Sequence, residues 1–285
     1  MMAGRRKSVP RMRRLRDFDV GNRTLLSEAV PYLAMVRAPS VTTSTRPPAS
    51  EFRIATYNVH RWAGVTGGTK FEPERAISVI AEVDADVVAL QEALRPFSSL
   101  DPLERIAEEL HLHVAFVVTR VHKYGELGNA ILSRWPITSV FTLDLSFGRL
   151  ERRSAIAAEF HTESSSVTIV ATHLALVDRS RDRQVRFLLD HPRIQGSVIL
   201  LGDLNAWRKC KATRKLEQAL PAEHHNLVWP PSFPSTRPLL ALDRVYARGA
   251  RVLEIESHAS AAASKASDHL PVVARIELPS SDRPR

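Results

Sequence analysis

The sequence predicts an α/β domain, and three observations predict it. Short apolar runs at Asp86–Leu90, Val167–Leu174 and Val198–Leu201 read as strands buried on both faces. Segments of helical period lie between such runs, at 73–83, 102–110, 178–190 and 211–220. Midway, Pro136 to Leu145 and Ser154 to Phe160 alternate as antiparallel strands do. The 285 residues give room for one large domain or two small ones, and 44% hydrophobic with 25% charged residues is the composition of a soluble globular protein.

Order is expected to begin at Phe52. Residues 1–50 show no sustained period and end in the linker-like Thr42-Thr43-Ser44-Thr45-Arg46-Pro47-Pro48. They read as a mostly disordered tail with a short helix near Leu25–Val36, and residues 281–285 as a disordered C-terminus, leaving 51–280 as the domain. Glu28 and Pro31 interrupt the one apolar stretch of the tail and no small-residue cleavage site follows, which argues against a secretory signal. No run approaches the roughly 18 apolar residues of a membrane span. A single cysteine, Cys210, excludes an internal disulfide and agrees with a cytoplasmic setting.

The net charge of +9 is unevenly placed. Ten Lys/Arg lie in residues 1–50 against Asp17, Asp19 and Glu28, which leaves only +2 for the rest of the chain. The pull on polyanions therefore belongs to the tail, which suits contact with nucleic acid or an anionic membrane surface, or simple solubility.

Phe52–Asn58 alternates as a strand and ends on Asn58-Val59-His60. Pro73 suits the first turn of a helix whose face is Ala76, Ile77, Ile80 and Val83. The strand Asp86–Leu90 runs into Gln91-Glu92. Val114–Thr119 is a further strand, and Gly128–Ser133 another, entered by a glycine turn. Glu151-Arg152-Arg153 marks a turn between antiparallel strands, and Val167–Leu174 carries His173 near its end. Asp178–Asp190 is an Arg-rich helix in which Asp182 lies four before Arg186 and Asp178 three before Arg181, the spacing of an ion-paired solvated face. Val198-Ile199-Leu200-Leu201-Gly202-Asp203-Leu204-Asn205 is a buried strand whose glycine lets backbone bend, so that Asp203 and Asn205 reach one rim. Lys211–Leu220 is a helix, Leu240–Tyr246 and Arg251–Ser257 are strands, and Ser267-Asp268-His269 opens the last one.

Collected, the polar residues at strand ends are Asn58, Glu92, His173, Asp203, Asn205, Asp243, Asp268 and His269. Three or four carboxylates meeting at one rim would repel strongly unless a cation sat among them. Oxygen ligands without cysteine favour Mg²⁺, with Mn²⁺ substituting, over Zn²⁺. Such a cation usually serves phosphate chemistry, neutralising charge that develops on phosphoryl oxygens.

The order and spelling of Tyr57-Asn58, Leu90-Gln91-Glu92, Gly128-Asn129-Ala130-Ile131-Leu132-Ser133, Thr172-His173-Leu174, Gly202-Asp203-Leu204-Asn205, Leu242-Asp243-Arg244 and Ser267-Asp268-His269 resemble the endonuclease/exonuclease/phosphatase superfamily. These are the DNase I-like phosphoesterases, and the likeness covers about residues 52–277 and points to the short uncharacterised bacterial members. It implies a four-layer α/β sandwich, two mixed sheets face to face with helices outside. It implies Glu92 as principal metal ligand with Asn58 and Asp268 completing the metal side. His269 would contact the scissile phosphate and move a proton, Asp243 would orient it, and Asp203 would position or activate the attacking water. Asn205 and Asn129 would bond phosphate oxygens or the attacking group, and His173 would face the leaving group. The position two after Asn58 is His60, where abasic-site endonucleases carry an acid, which leaves a second metal position without its ligand.

Several residues also have ordinary explanations. Asn129 can serve the turn around Gly128 instead of phosphate, Arg152 can edge the site or cap a hairpin, and Trp62, Trp135, Trp207 and Trp229 are too scattered for a base-stacking platform. His224 and His225 read as loop surface. The expected function is hydrolysis of a phosphodiester, or a phosphomonoester, by direct attack of water in a monomeric enzyme. The near-neutral domain favours a small or lipid-type ester over DNA, with a Mg²⁺-dependent nuclease as the alternative. A different class of reading is a non-catalytic adaptor that binds nucleic acid or a membrane surface through the Arg-rich tail.

Overall fold

A computed structural model describes residues 30–42, 50–68, 70–98, 100–137, 139–147, 151–162, 166–222 and 228–279. The apolar runs form two mixed sheets. The first holds seven strands in the order β1 (Tyr32–Arg37), β4 (His113–His122), β5 (Gly125–Ser133), β3 (Val87–Pro96), β2 (Glu51–Asn58), β12 (Val272–Glu277) and β11 (Arg251–Ser257). The second holds five, β10 (Asp243–Arg248), β9 (Ser197–Asp203), β8 (Ser166–His173), β7 (Ser154–His161) and β6 (Ser139–Asp144). Only β2/β3 and β8/β9 pair in parallel, and both pairs carry their chain direction toward the same rim.

Period-two patterning explains how the sheets stack. Ile54, Val87, Ala89 and Ile131 of the first sheet meet Ile156, Ile169, Ile199 and Leu201 of the second in one buried layer. The alternate residues cover helices. Helix α1 (Pro73–Val83) and α2 (Pro102–Glu109) pack on the outer face of the seven-stranded sheet, against Leu90, Val114 and Phe116. Helix α3 (Asp178–Asp190) and α4 (Lys211–Ala219) pack on the outer face of the five-stranded sheet, against Val170, Val198 and Leu200. The four-layer sandwich is therefore as the resemblance implies. Proline starts α1, and a left-handed Asp84 ends it. Asp101 caps α2 by accepting from the Leu103 amide at 2.9 Å.

Glycine is required where strands come closest. Gly202 has φ +151°, and a Cβ there would lie 1.9 Å from the Thr172 carbonyl oxygen. Gly128 would place one 1.7 Å from the Val117 carbonyl oxygen. That second contact corrects the expected glycine turn: β5 already begins at Gly125, and Gly128 lies inside the strand. Similarly, Glu92 does not end a strand. β3 continues to Pro96, and Glu92 occupies a bulge where its pairing with β5 shifts register between Leu90 and Ala93. The strand read from Leu240 begins at Asp243, and the last strand begins at Val272, after Asp268 and His269.

The N-terminal boundary also differs from the expected one. The short helix expected near Leu25–Val36 is, over its described part, strand β1, paired antiparallel with β4 from Tyr32 opposite Val118 to Arg37 opposite Val114. Tyr32, Ala34 and Met35 pack against the core while Leu33 and Val36 are exposed, and the alternation breaks where the pairing with β4 shifts register between Leu33 and Met35. Tyr32 Oη donates to Glu126 at 2.5 Å, and Arg37 donates to Glu108 at 2.6 Å. The expected tail at 1–29 and 43–49, the expected C-terminus at 281–285, and His224 and His225 lie outside the described residues. No helix among the described residues is long and apolar enough to cross a membrane.

Because β1 covers the edge of β4, removing residues 1–42 should lower the melting temperature by about 5 °C or more relative to removing residues 1–29, roughly a 2 kcal/mol difference for a domain of this size. Equal melting of the two truncations would mean that β1 contributes nothing to the fold.

Candidate active site

The rim where β2, β8 and β9 end and β3 bulges at Glu92 gathers eight of the residues singled out above. Asp203, almost fully buried, is its centre. Its Oδ1 accepts the Asn205 backbone N–H at 2.8 Å, and its Oδ2 accepts Asn58 Nδ2 at 3.1 Å. The second bond joins β9 of one sheet to β2 of the other. Two imidazoles face the same carboxylate, His173 Nε2 at 3.4 Å and His269 Nε2 at 3.8 Å from Oδ2.

The state of His173 follows from Asn205. The amide nitrogen of Asn205 donates to the Leu174 carbonyl at 2.9 Å, which fixes which end of the amide is nitrogen. The same nitrogen lies 3.0 Å from His173 Nε2, so Nε2 accepts, and the proton of the neutral ring sits on Nδ1. Burial, reinforced by the Arg153 guanidinium, holds the His173 imidazole down to about 3.

His269 is in the opposite state. Its Nδ1 donates to Asp243 Oδ2 at 2.7 Å, and the Ser232 hydroxyl donates to the same oxygen at 2.5 Å. Asp243 is fully buried, and its Oδ1 has no partner. Burial opposes charge on His269, but the carboxylates of Asp243, Asp203 and Asp268 outweigh it and push its pKa up to about 10. The Phe233 ring lies 4.9 Å from the imidazole and limits its movement.

Outside this buried pair lie the more open acids. Glu92 faces Arg61 Nε at 3.6 Å, and Asp268 Oδ1 lies 3.3 Å from His60 Nδ1. His60 Nδ1 also lies 2.9 Å from the Gly64 carbonyl oxygen, while its Nε2 lies 3.0 Å from the Arg61 guanidinium. Arg61 donates there, so the His60 proton sits on Nδ1. Burial raises the Asp268 pKa, opposed by His269 and His60 and aided by the charge of Glu92. Asn58 Oδ1 accepts the His60 backbone N–H at 3.0 Å. Eight non-glycine residues among those described have positive φ, and His60, Arg61, Trp62, Glu92 and Asn205 are five of them. Strain of that kind, of order 1–3 kcal/mol each, persists where surrounding contacts over-determine the backbone.

Glu92, Asp268 and the remaining lone pair of Asn58 Oδ1 offer the oxygen donors a hard divalent cation takes, and the mutual repulsion of Glu92 and Asp268 is what a cation would relieve. The tightest grouping of metal-capable atoms among the described residues is a different one, Asp203, Asp243 and His269, all within 4.8 Å of one another. Its geometry is that of a hydrogen-bonded imidazole and carboxylate, with His269 Nδ1 2.7 Å from Asp243 Oδ2.

Beside these residues opens a cleft of about 200 Å³ lined by Glu92, Asn129, His173, Arg120, Arg152 and Arg153. Asn129 Nδ2 donates to the Ser154 carbonyl at 2.9 Å, so Asn129 serves no turn and stands at the cleft. Arg152 also lines it, its guanidinium 3.5 Å from the Val30 carbonyl oxygen. Of the four arginines on α3, Arg186 pairs with Asp182 as expected from spacing, but Arg181 is buried. It donates to the carbonyls of Ala175, Leu176 and Asn205 at 2.7–2.8 Å and pairs with Asp178. Arg244 likewise donates to Ala206 at 2.7 Å. Two buried guanidinium groups thus clamp the turn that carries Asn205. Sequence reasoning missed Ser232, Arg61, Arg120 and this clamp, and it singled out Glu151-Arg152-Arg153 but gave the site-edge role to Arg152 and none to Arg153. The only signals were Ser232 beside Phe233-Pro234 and Arg61 beside His60, neither of which names a role.

The two histidines should separate in an NMR titration in chelator. His269 should stay protonated above pH 8, and His173 neutral down to below pH 5. Asp243→Asn should lower the His269 midpoint by about one unit or more. Since the folded state keeps a proton on His269 that the unfolded chain releases near the ordinary histidine value, the pair's contribution to stability is complete below about pH 6.5 and is lost as pH rises through about 10. A His269 midpoint near 6.5 would contradict the assignment.

Residues 55–269 match the model of the Endonuclease/Exonuclease/phosphatase family. An uncharacterised protein of Escherichia coli (strain K12), YbhP, is 27% identical over 249 residues, spanning 80% of this chain and 96% of that protein. Among solved structures, an endonuclease/exonuclease/phosphatase from Beutenbergia cavernae aligns with a TM-score of 0.66 at 24% identity, over 81% of this chain and 72% of that one. The human Nocturnin catalytic domain with bound sulfate anion aligns with a TM-score of 0.62 at 19% identity, over 82% and 96%. The two structural likenesses speak for the fold, and the family model covers most of the sandwich and the whole rim: the chain belongs to the Endonuclease/Exonuclease/phosphatase family.

Proposed function

We propose that the chain hydrolyses a phosphodiester by direct in-line attack of water, with a phosphomonoester as a further substrate form. The observation that carries this reading is the convergence on Asp203: a buried carboxylate with both oxygens hydrogen-bonded, flanked by one neutral and one protonated imidazole. Such a setting separates two proton tasks on one rim.

In this reading Asp203 holds the attacking water and takes its proton as the new P–O bond forms and the bond to the leaving oxygen breaks, while its bonds to Asn58 and Asn205 keep the carboxylate in place. His269 Nε2–H meets a nonbridging phosphoryl oxygen and stabilises the charge gained in the transition state. Asp243, itself fixed by Ser232, holds His269 in that orientation. His173 Nδ1–H faces the leaving oxygen. Asn129 and Asn205 bond phosphate oxygens or the attacking group. Glu92, Asp268 and Asn58 would hold Mg²⁺, with Mn²⁺ as a substitute, and the cation would supply charge neutralisation at a phosphoryl oxygen.

The near-neutral charge after residue 50 supports a small or lipid-type ester over DNA. The excess of Lys/Arg in residues 1–50 supports contact of this segment with an anionic membrane surface or nucleic acid, by a monomer in the cytoplasm. A panel of an aryl phosphodiester, an aryl phosphomonoester, plasmid DNA, abasic DNA and phospholipid, each with Mg²⁺, Mn²⁺ or EDTA, separates these substrates. An adaptor would leave every one intact and bind with steep salt dependence.

Glu92→Gln removes charge and keeps shape. It should weaken Mg²⁺ binding in calorimetry by about tenfold or more and lower turnover of the cleaved ester by about a hundredfold, with the melting curve unchanged. Unaltered metal affinity would remove Glu92 from the ligand set.

A further inference from the structure

We propose that Arg120, Arg152 and Arg153 form a subsite for a second phosphate group, so that the ester cleaved here carries a further phosphate beside the reacting one. This rests on the hydrolase reading and adds the substrate class to it.

The three arginines come from both sheets. Arg120 projects from β4, and Arg152 and Arg153 from the segment that enters β7, yet all three line the cleft shared with Asn129 and His173. Several arginines elsewhere are matched by acids, while others, such as Arg244 and Arg248, donate to backbone carbonyls. Arg95 pairs with Asp101 and Glu126, Arg105 with Glu74 and Glu109, and Arg275 with Glu51 and Glu254. At the cleft the match fails. Arg120 forms no ion pair among the described residues, and Arg152 reaches only the Val30 carbonyl oxygen. Arg153 has one acid, Glu151, at 3.2 Å, and that same carboxylate oxygen also accepts the Leu176 N–H. The Nε–H of Arg153 is also buried with no acceptor, as are those of Arg37, Arg61 and Arg181. Glu92, the other acid of the cleft, faces Arg61 on its far side.

Three guanidinium groups against one carboxylate leave two positive charges, the charge of a phosphomonoester dianion. Guanidinium forks also match the oxygens of such a group, two N–H donors to two oxygens. The reacting phosphate belongs on the other side of His173, among Asp203, Asp268 and His269. The acids there would repel a dianion, whereas the arginines attract it. The arginine-lined cleft and the acidic rim thus form two zones of opposite sign, with the neutral His173 ring, which lines the cleft and faces Asp203, at their boundary. A substrate with one reacting diester and one terminal phosphate spans them.

Calorimetry on the full chain in EDTA, with inorganic phosphate as the probe, tests the subsite without any reaction. One-to-one saturable binding is expected. Arg120→Ala, an exposed change, should weaken it about tenfold or more, and Arg153→Lys, which keeps the charge and the fold, should weaken it less. Arg105→Ala, on the far side of the sandwich, should leave it unaltered. The kinetic arm uses Mg²⁺ and a nitrophenyl phosphodiester with or without a second phosphate on the same alcohol. The added phosphate should lower KM, and Arg120→Ala should cost the doubly phosphorylated ester about ten times more in kcat/KM than the plain one. No saturable phosphate binding, or binding that Arg120→Ala leaves intact, overturns the subsite. Equal losses on both esters overturn it too, since they would place these arginines on the reacting phosphate. Arg120-dependent phosphate binding by a protein that cleaves neither ester would keep the anion site and remove the hydrolase reading.

Discussion

Asp203, a carboxylate buried between two sheets, is hydrogen-bonded on both oxygens by donors from both sheets, whereas the buried Asp243 is bonded on Oδ2 alone. Asn58 comes from β2 and Asn205 from the turn after β9, so satisfying one charge locks the rims of two sheets in register. The cost of an unpaired buried carboxylate far exceeds that of a misplaced surface group, which makes this bond more decisive than the apolar layer beneath it for where side chains point. The apolar layer decides that the sheets stack. The Asp203 network decides how their ends face each other, and Gly202, which lets β9 approach β8 at Thr172, permits it.

Around that centre the protein separates charges instead of pairing them all. His269 is held protonated by Asp243, while His173, only one carboxylate away, is held neutral by burial and by Arg153. Glu92 and Asp268 sit apart from this pair in a more open position, on strained or loop backbone, where two like charges suit a bound cation. The arginines line the remaining side. Each zone depends on backbone that is itself clamped, the Asn205 turn by Arg181 and Arg244 and the His60 turn by Asn58.

Much of this was legible in the chain. Alternation and apolar runs placed α1, α3 and β11 at their observed bounds, and the strand-end motifs named all of the rim acids and both histidines. What escaped was set by pairing between distant segments. The bulge at Glu92 arises because β3 sets two residues, Gln91 and Glu92, against the single Asn129 of β5, and nothing local to Leu90-Gln91-Glu92 shows that. Gly128 looked like a turn former because its reason, the Val117 carbonyl, lies on another strand. β1 was hidden by the composition around it, since an edge strand with Pro31 at its start differs little from a linker. Arg181 carried the spacing of a surface ion pair and does pair with Asp178, but its guanidinium also donates to three carbonyls of the loop below.

The central claim is that Asp243 and His269 act as one unit on a reacting phosphate. A double-mutant cycle on kcat/KM tests it most directly, using Asp243→Asn, His269→Ala and the pair, with thermal melts to correct for the folded fraction. If the imidazole works only when the carboxylate holds it, each single change should cost a large part of what the double change costs, and the losses should fall short of adding by about 1 kcal/mol or more. Additive losses, or a melt shift that accounts for the whole effect of Asp243→Asn, would contradict the account and leave Asp243 as a buried residue that supports the fold alone.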